Sequence, residues 1–414
     1  MRILFVHQNF PGQYKHLAPA LAADPANEVV AIGDEANIHR AKGLHPRIRL
    51  CSYPAPQGAV AGTHHYLRST DAAVRRGQAV ARVALKLRNL GFVPDVICAH
   101  PGWGESLFLK DVFPTAKLVL YLEFYYRAQG SDMHFDPEFP STFDDGCRIR
   151  LRNTTQLLSL ESSDAGVSPT QWQKAQFPTM LRQNISVIHD GVDTDVVCPA
   201  NVERFQLPGG VTLRSGDEVI TYVARNLEPY RGIHTFLRAL PEILARRPQA
   251  QVLIVGGDDV SYGRAAPDGK TYRSIYLQEV AASMDISRIH FLGKLPYTQY
   301  VQVLRLSSAH VYLTYPFVLS WSMLEAMSCG CLLIASATAP VQEVLQHGRN
   351  GLLVDFFDPK GLAATVIEAL EQPKENLHLR QQARLDVRER FDLKRVCLPQ
   401  LQDHVRAVAG LPPL

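Results

Sequence analysis

The stretch HVYLTYPFVLSWSMLEAMSCGCLLIASAT, residues 310–338, sets the fold. Its opening, HVYLTYPF (310–317), is rich in β-branched and aromatic side chains and reads as a buried strand. SMLEAMSCG (322–330) reads as a helix running from Ser322 to Gly330. CLLIASAT (331–338) reads as a second buried strand. Strand, helix, strand, with both strands apolar throughout, is the pattern of a parallel sheet covered on both faces. One carboxylate, Glu325, stands inside this apolar run. A lone buried charge is costly unless something satisfies it. Two readings of it stand side by side. In the first, Ser322 is the N-cap and Glu325 reaches back to the N-cap amide as a capping box. In the second, the free N–H groups of the helix start suit a phosphate, and Glu325 accepts hydrogen bonds from a sugar diol.

The chain has 414 residues, enough for two domains of ordinary size. A hydrophobic content of 46% and a charged content of 20% describe a soluble globular protein. A net charge of +3 is too balanced to imply nucleic acid. The seven cysteines, at 51, 98, 147, 198, 329, 331 and 397, form no C-x-x-C pair and no Cys/His metal spacing. Reduced cytoplasmic thiols and no bound metal are therefore expected. The opening MRILFVHQNF is hydrophobic but breaks at His7, which reads as a first strand and not a signal peptide. No apolar run approaches the roughly 20 residues of a membrane-spanning helix, so any membrane contact is expected to be peripheral, at the inner face.

Both halves alternate strand and helix. RILFVHQNF, EVVAIGD, RIRLCSY, PDVICAH, AKLVLYLEF and ISVIHDG read as strands of the first half. EVITYVAR, AQVLIVGG, RIHFLG, HVYLTY, CLLIASA and GLLVDF read as strands of the second, with helices between them. The expected class is α/β, with two Rossmann-like doubly wound sheets. The polar segment 198–218, carrying Pro and Gly, marks the boundary. The expected domains are 1–197, 198–390 and a terminal segment 391–414. Ligands in such folds sit at the carboxyl ends of strands, so the expected site is the cleft between the domains.

Four motifs fall at such ends. HQNFPGQ follows the first strand, and Pro11-Gly12 makes a tight turn there, either a plain turn or a slim approach for a phosphate. It is not G-x-G-x-x-G, which disfavours a dinucleotide enzyme. HPGWGE (100–105) places His100 at a strand end between slim glycines, with Trp103 either stacking on a sugar or packing. ARNLEPYRG (224–232) carries Arg225 and Arg231 on a loop into a helix, read either as a diphosphate clamp or as a solvated charge pair. The helix around 72–90 carries Arg75, Arg76, Arg82, Lys86 and Arg88 with no acid among them. It reads as a solvated basic face or as a surface for anionic lipid.

Together these stretches resemble GT-B fold glycosyltransferases of family 4 over essentially the whole chain. ARNLEPYRGIHTFLRAL resembles the family's R-x-x-x-x-K-G segment, and SMLEAMSCGCLLIAS with QEVLQHGRNGLLVDFFDP resembles its nucleotide-binding core. HDGVDTDVVCP resembles the linker entry, and HQNFPGQYKHLAPAL and HPGWGE resemble one subgroup. RERFDLKRVCLPQLQDHVRAVAG is similar to the terminal helix that returns to the first domain. The resemblance implies a retaining, metal-independent transfer of a sugar from a nucleoside-diphosphate sugar to an acceptor hydroxyl on a glycan, lipid-linked carrier or protein. Surface-glycan biosynthesis is the implied setting. It implies that Gly12, Arg225, Arg231, Leu295, Leu319, Ser320, Ser322, Met323 and Glu325 bind the donor, with Glu325 on the ribose. Arg225 and Arg231 would stabilise the leaving diphosphate, and His100 would contact the donor sugar or its phosphate from the opposite domain.

Three departures from the family pattern stand out. Its E-x7-E has Phe317 in the first place, where a Glu touches donor-sugar hydroxyls. Arg231 replaces the usual Lys. In YLEFYYR (121–127), Glu123 stands where a His is frequent, either orienting or deprotonating an acceptor hydroxyl or forming an ordinary ion pair. A sugar-nucleotide epimerase or phosphorylase, and a binding protein with lost catalysis, are the rival readings.

Overall fold

The computed structural model describes residues 1–40, 43–56 and 58–413. The chain divides into two compact units, Met1–Gly191 with Lys394–Leu414, and Val192–Leu393.

The first unit is built on seven strands: β1 (Arg2–Val6), β2 (Glu28–Asp34), β3 (Ile48–Tyr53), β4 (Val96–Ala99), β5 (Lys117–Tyr121), β6 (Ala165–Ser168) and β7 (Ile185–Val187). They lie in the order β3-β2-β1-β4-β5-β6-β7, every pair parallel. Successive residues of β1 feed opposite faces. Ile3 and Phe5 pack with Leu401 and Val405 of the helix Leu398–Val408. Leu4 and Val6 pack with Val80, Ala84 and Leu87 of the helix Arg68–Asn89. The sequence reading foresaw six of these strands and passed over β6. AGVS has little β-propensity, and its two-sided burial makes it a strand. Gly166 leaves room there for Leu122, whose Cδ1 would lie 2.5 Å from an added Cβ.

The second unit opens with a small antiparallel hairpin, β8 (Phe205–Gln206) and β9 (Thr212–Leu213). Six parallel strands follow: β10 (Val219–Asn226), β11 (Gln251–Gly257), β12 (Ile289–Gly293), β13 (Ala309–Tyr312), β14 (Leu333–Ser336) and β15 (Leu352–Val354). Their order is β12-β11-β10-β13-β14-β15. Segment 198–218, expected as the boundary, belongs to this unit. Its Val202, Leu207 and Leu213 pack with Val219, Leu253 and Val303. The chain enters and leaves the unit as a pair. Val192 N–H donates to Phe391 O at 2.8 Å, and Leu393 N–H donates to Val192 O at 2.8 Å. That pairing moves the divisions from 197 and 390 to Gly191 and Leu393.

Each sheet reverses its strand order once, between β1 and β4 and between β10 and β13. Such reversals open a crevice at the carboxyl ends of the two strands. His7 and His100 follow β1 and β4; Arg225 is the second-last residue of β10. Among the described residues no helix is long and apolar enough to cross a membrane.

Candidate functional site

In the second unit the polar residues gather at the β10–β13 reversal. Arg225 is exposed, and among the described residues it has no hydrogen-bond or ion-pair partner. Arg231 is buried, which removes the reading of a solvated pair. Its Nη1 donates to Thr314 Oγ1 at 2.8 Å, to Val318 O at 3.1 Å and to Tyr312 Oη at 3.4 Å. The guanidinium also lies 5.3 Å from the Tyr262 ring centre. Burial works against its charge, but Tyr312, Tyr262 and Glu228 hold it firmly protonated. Buried Glu228 in turn accepts from the amides of Ser261, Tyr262 and Gly263. Arg231 therefore braces the loop that follows β13, and Arg225 is the cation that faces water.

That loop leads into the helix Trp321–Ser328. Its N-cap is Ser320, not Ser322, and the Ser320 side chain accepts from Ser322 N–H. With the cap two residues earlier, Met323 holds the N3 position, Glu325 lies two residues too deep to reach back, and the capping box is not formed. Glu325 is satisfied instead by two phenols. Tyr297 Oη donates to Oε1 at 2.8 Å and Tyr300 Oη to Oε2 at 2.7 Å. A carboxylate oxygen accepts two hydrogen bonds, so each keeps a free acceptor position. Of the amides from Leu319 to Met323, those of Ser320, Ser322 and Met323 already have acceptors within the loop. The Ser320 and Ser322 hydroxyls lie 2.9 Å apart at the helix start. Leu295 is half-buried and packs against Leu304 and its neighbours. Phe317 is buried among Tyr230 and Tyr262, at ring distances of 5.5 and 4.9 Å.

In the first unit the β1–β4 reversal holds a polar chain. Asn9 N–H donates to His7 Nδ1 at 2.9 Å, so the proton of a neutral His7 is on Nε2. His7 Nε2 meets Gln13 Oε1 at 2.6 Å, and Gln13 Nε2 donates to Glu123 Oε1 at 3.2 Å. Gly102 N–H donates to His100 Nδ1 at 3.0 Å, which leaves the proton on Nε2. That Nε2 is buried, has no hydrogen-bond partner among the described residues, and lies 3.6 Å from Glu123 Oε2. Trp103 packs face to face on His100 with ring centres 4.4 Å apart. Burial and the neighbouring His100 push the His7 pKa down to about 3. Burial would raise Glu123, but the neighbouring His100 and His7 and the bond from Gln13 outweigh this and hold it below the usual carboxylate range. Gly12 has φ +46°, and a Cβ there would sit 2.3 Å from the His7 ring. The histidine ring thus accounts for that glycine.

Residues 25–197 match the family described as Glycosyl transferase family 4 group, and residues 206–386 that described as Glycosyl transferases group 1. The chain belongs to the family 4 glycosyltransferases. The D-inositol 3-phosphate glycosyltransferase of Corynebacterium efficiens is 31% identical over 204 residues, 48% of this chain and 46% of that protein. The chain thus spans about half the length of this curated relative. The glycogen synthase of Mycobacterium tuberculosis is 23% identical over 99% of this chain and 96% of its own. Among solved structures, HepE of Anabaena in complex with UDP-glucose superposes with a TM-score of 0.68 at 16% identity, covering 99% of each chain. Sucrose-phosphate synthase of Thermosynechococcus elongatus gives 0.70 at 16% identity, covering 99% of this chain and 100% of its own. The fold of this family 4 chain is accordingly GT-B.

Sequence reasoning missed four residues of these two clusters. His7 and Gln13 stand in HQNFPGQ, where only the turn was read, yet His7 ends a strand just as His100 does. Tyr297 and Tyr300 stand three apart on the helix Tyr297–Leu306, a spacing that puts both on one face. In the first unit, Glu123 and His100 come together as neighbours, which their spacing in sequence did not reveal.

Proposed function

We propose that this family 4 chain transfers a sugar from a nucleoside-diphosphate sugar to an acceptor hydroxyl, with retention at the anomeric carbon and without a metal. The anomeric C–O bond to the diphosphate breaks, and a bond to the acceptor oxygen forms. The acceptor proton passes to the departing diphosphate oxygen as that bond forms. Arg225 binds the diphosphate directly. Buried Arg231 adds a fixed positive charge at the loop that follows β13, where preorganised charge stabilises a leaving anion without reorganisation. Ser320, Ser322 and the helix start bind phosphate or sugar oxygens, and Glu325 takes the ribose hydroxyls on its free acceptor positions. Leu295 lines the apolar side, while Leu319 and Met323, whose side chains are buried in the core, take part only through their backbone. Glu123, held ionised by His100, accepts the hydrogen bond of the acceptor hydroxyl, and His100 contacts the donor sugar.

The observation that carries this reading is Arg225, exposed at a strand reversal and, among the described residues, without a partner, while buried Arg231 organises the loop that follows the neighbouring strand β13. HepE, a structural neighbour solved in complex with UDP and with UDP-glucose, supports a nucleotide donor. We place the work in the cytoplasm, in building a surface glycan. Phe317 favours one second reading, a donor-binding protein without turnover, because a phenyl ring cannot accept the bonds a Glu makes to the sugar.

A thermal-shift and hydrolysis screen of UDP-, GDP-, ADP-, CMP- and TDP-sugars tests this, with Glu325→Ala and Arg225→Ala beside the wild type. Ligand binding raises stability by RT ln(1 + [L]/Kd). One nucleotide sugar is expected to stabilise the wild type and not the variants, and to be hydrolysed slowly. Stabilisation without turnover, even with acceptors added, selects the binding protein. No stabilisation by any nucleotide overturns both.

A further inference from the structure

The helix Arg68–Asn89 carries more cations than its packing uses. Its 22 residues span about 33 Å at the usual rise of an α-helix. Ala73, Gly77, Val80, Ala84 and Leu87 turn inward. Arg68, Arg75 and Arg82 recur every seven residues on the opposite side, and Lys86 follows one turn later. Seven residues are nearly two turns, so these cations form one outward row. The only acid of the helix, Asp71, is paired with Arg75 at 3.1 Å. Arg68, Arg82 and Lys86 have no hydrogen-bond or ion-pair partner among the described residues.

A second row runs beside the first. Leu67, Val74 and Leu85, seven and then eleven residues apart and so about two and three turns along one side of the helix, are exposed, and Leu90, just past the helix, is 79% exposed. A solvated face has no use for a row of aliphatic side chains beside its cations. An anionic bilayer surface uses both, with headgroups for the cations and the acyl boundary for the aliphatics. We propose that this face of the first unit docks on an anionic lipid surface.

The helix is also fastened to the candidate site of its own unit. Arg76 Nη1 donates to Trp103 O at 2.9 Å. A Cβ on Gly77 would meet Gly104 O at 2.7 Å, so helix and HPGWGE turn touch backbone to backbone. Docking through the outer face therefore holds the turn that bears His100 about one helix diameter, roughly 10 Å, from the lipid headgroups.

Flotation of the full chain with vesicles tests this. The probes are vesicles of phosphatidylcholine alone and of phosphatidylcholine mixed with phosphatidylglycerol, at low and physiological salt. The chain is expected to float with the mixed vesicles, not the neutral ones, and to be released by salt. Arg82→Glu with Lys86→Glu is expected to weaken partitioning at least about tenfold, given what each basic residue gains near such a surface. Leu85→Ser with Leu90→Ser is expected to weaken it at both salt concentrations. All four positions are exposed, and circular dichroism melting checks that the variants fold. The nucleotide thermal shift should be unchanged in them, which separates this proposal from the donor-site reading. No flotation at low salt, undiminished flotation of the Glu variant, or tighter binding to duplex DNA than to vesicles would each overturn it.

Discussion

Glu325 is held at both oxygens, and the two tyrosines that hold it are not equivalent. Tyr300 is buried and Tyr297 is half exposed. Tyr300→Phe strands an acceptor where water does not reach, so urea unfolding should show a loss of about 1.5–3 kcal/mol, the worth of a hydrogen bond to a charged group. Tyr297→Phe lets water take the place of the phenol and should cost under about 1 kcal/mol. Glu325→Gln keeps the shape and one acceptor but loses the charge. Nucleotide affinity should then fall roughly ten- to a hundredfold by calorimetry. An unchanged affinity would return Glu325 to a structural part. Gln13→Leu acts on the other unit. It removes a donor from the ionised Glu123 and so lets that pKa rise. If Glu123 works as a carboxylate, the acid limb of kcat/KM should move to higher pH, while the variant still binds nucleotide.

At the scale of elements, glycines decide how close the pieces come. Gly104 has φ +102°, and a Cβ there would lie 2.3 Å from the carbonyl oxygen of Ala73 on the helix Arg68–Asn89. Gly104→Ala cannot be relieved by a side-chain rotation, because backbone faces backbone. It should cost about 3 kcal/mol or more, by clash and by left-handed strain together, and should lower activity through the His100 turn. Gly104→Ala with no loss in thermal melting would mean that the helix and the turn are not pressed together. These elements also separate what the sequence can tell from what it cannot. Strands such as EVVAIGD were legible because two-sided burial demands unbroken apolar runs. β6 was not, because its Ala and Gly answer to the neighbours β5 and β7 and not to any local preference. The segment 198–218 looked like a linker because its composition is polar, yet three apolar side chains spaced along it anchor a hairpin. At the site, residues at strand ends were legible one at a time. Partnerships such as His7–Gln13–Glu123 and Tyr300–Glu325 were not, since they join residues that only the fold brings together. The capping box failed for a local reason: two serines compete for one cap, and Ser320 takes it.

Across the whole molecule, buried histidines set the response to acid. His7 and His310 are held near a pKa of about 3, and His189 near about 4, burial being the largest cause for each. An unfolded histidine titrates near 6.5, so between that pH and about 4 the unfolded chain binds protons the folded chain refuses. The sign follows: stability is full above pH about 6.5 and falls as pH drops, by about 1.4 kcal/mol per pH unit for each such histidine. His7 and His189 lie in the first unit and His310 in the second. Half-buried His404 and His290, one in each unit, are also shifted down and add smaller effects of the same sign. The first unit should therefore lose stability about twice as steeply as the second below pH 6.5. Hydrogen exchange measured at several pH values resolves the two units separately. His7→Gln should remove about one proton from the slope of the first unit and leave the second unchanged. Equal slopes in the two units would mean that His7 or His189 gains its proton without unfolding. Water would then reach the bond between His7 and Gln13, and Glu123 would not be held ionised by a closed chain of partners.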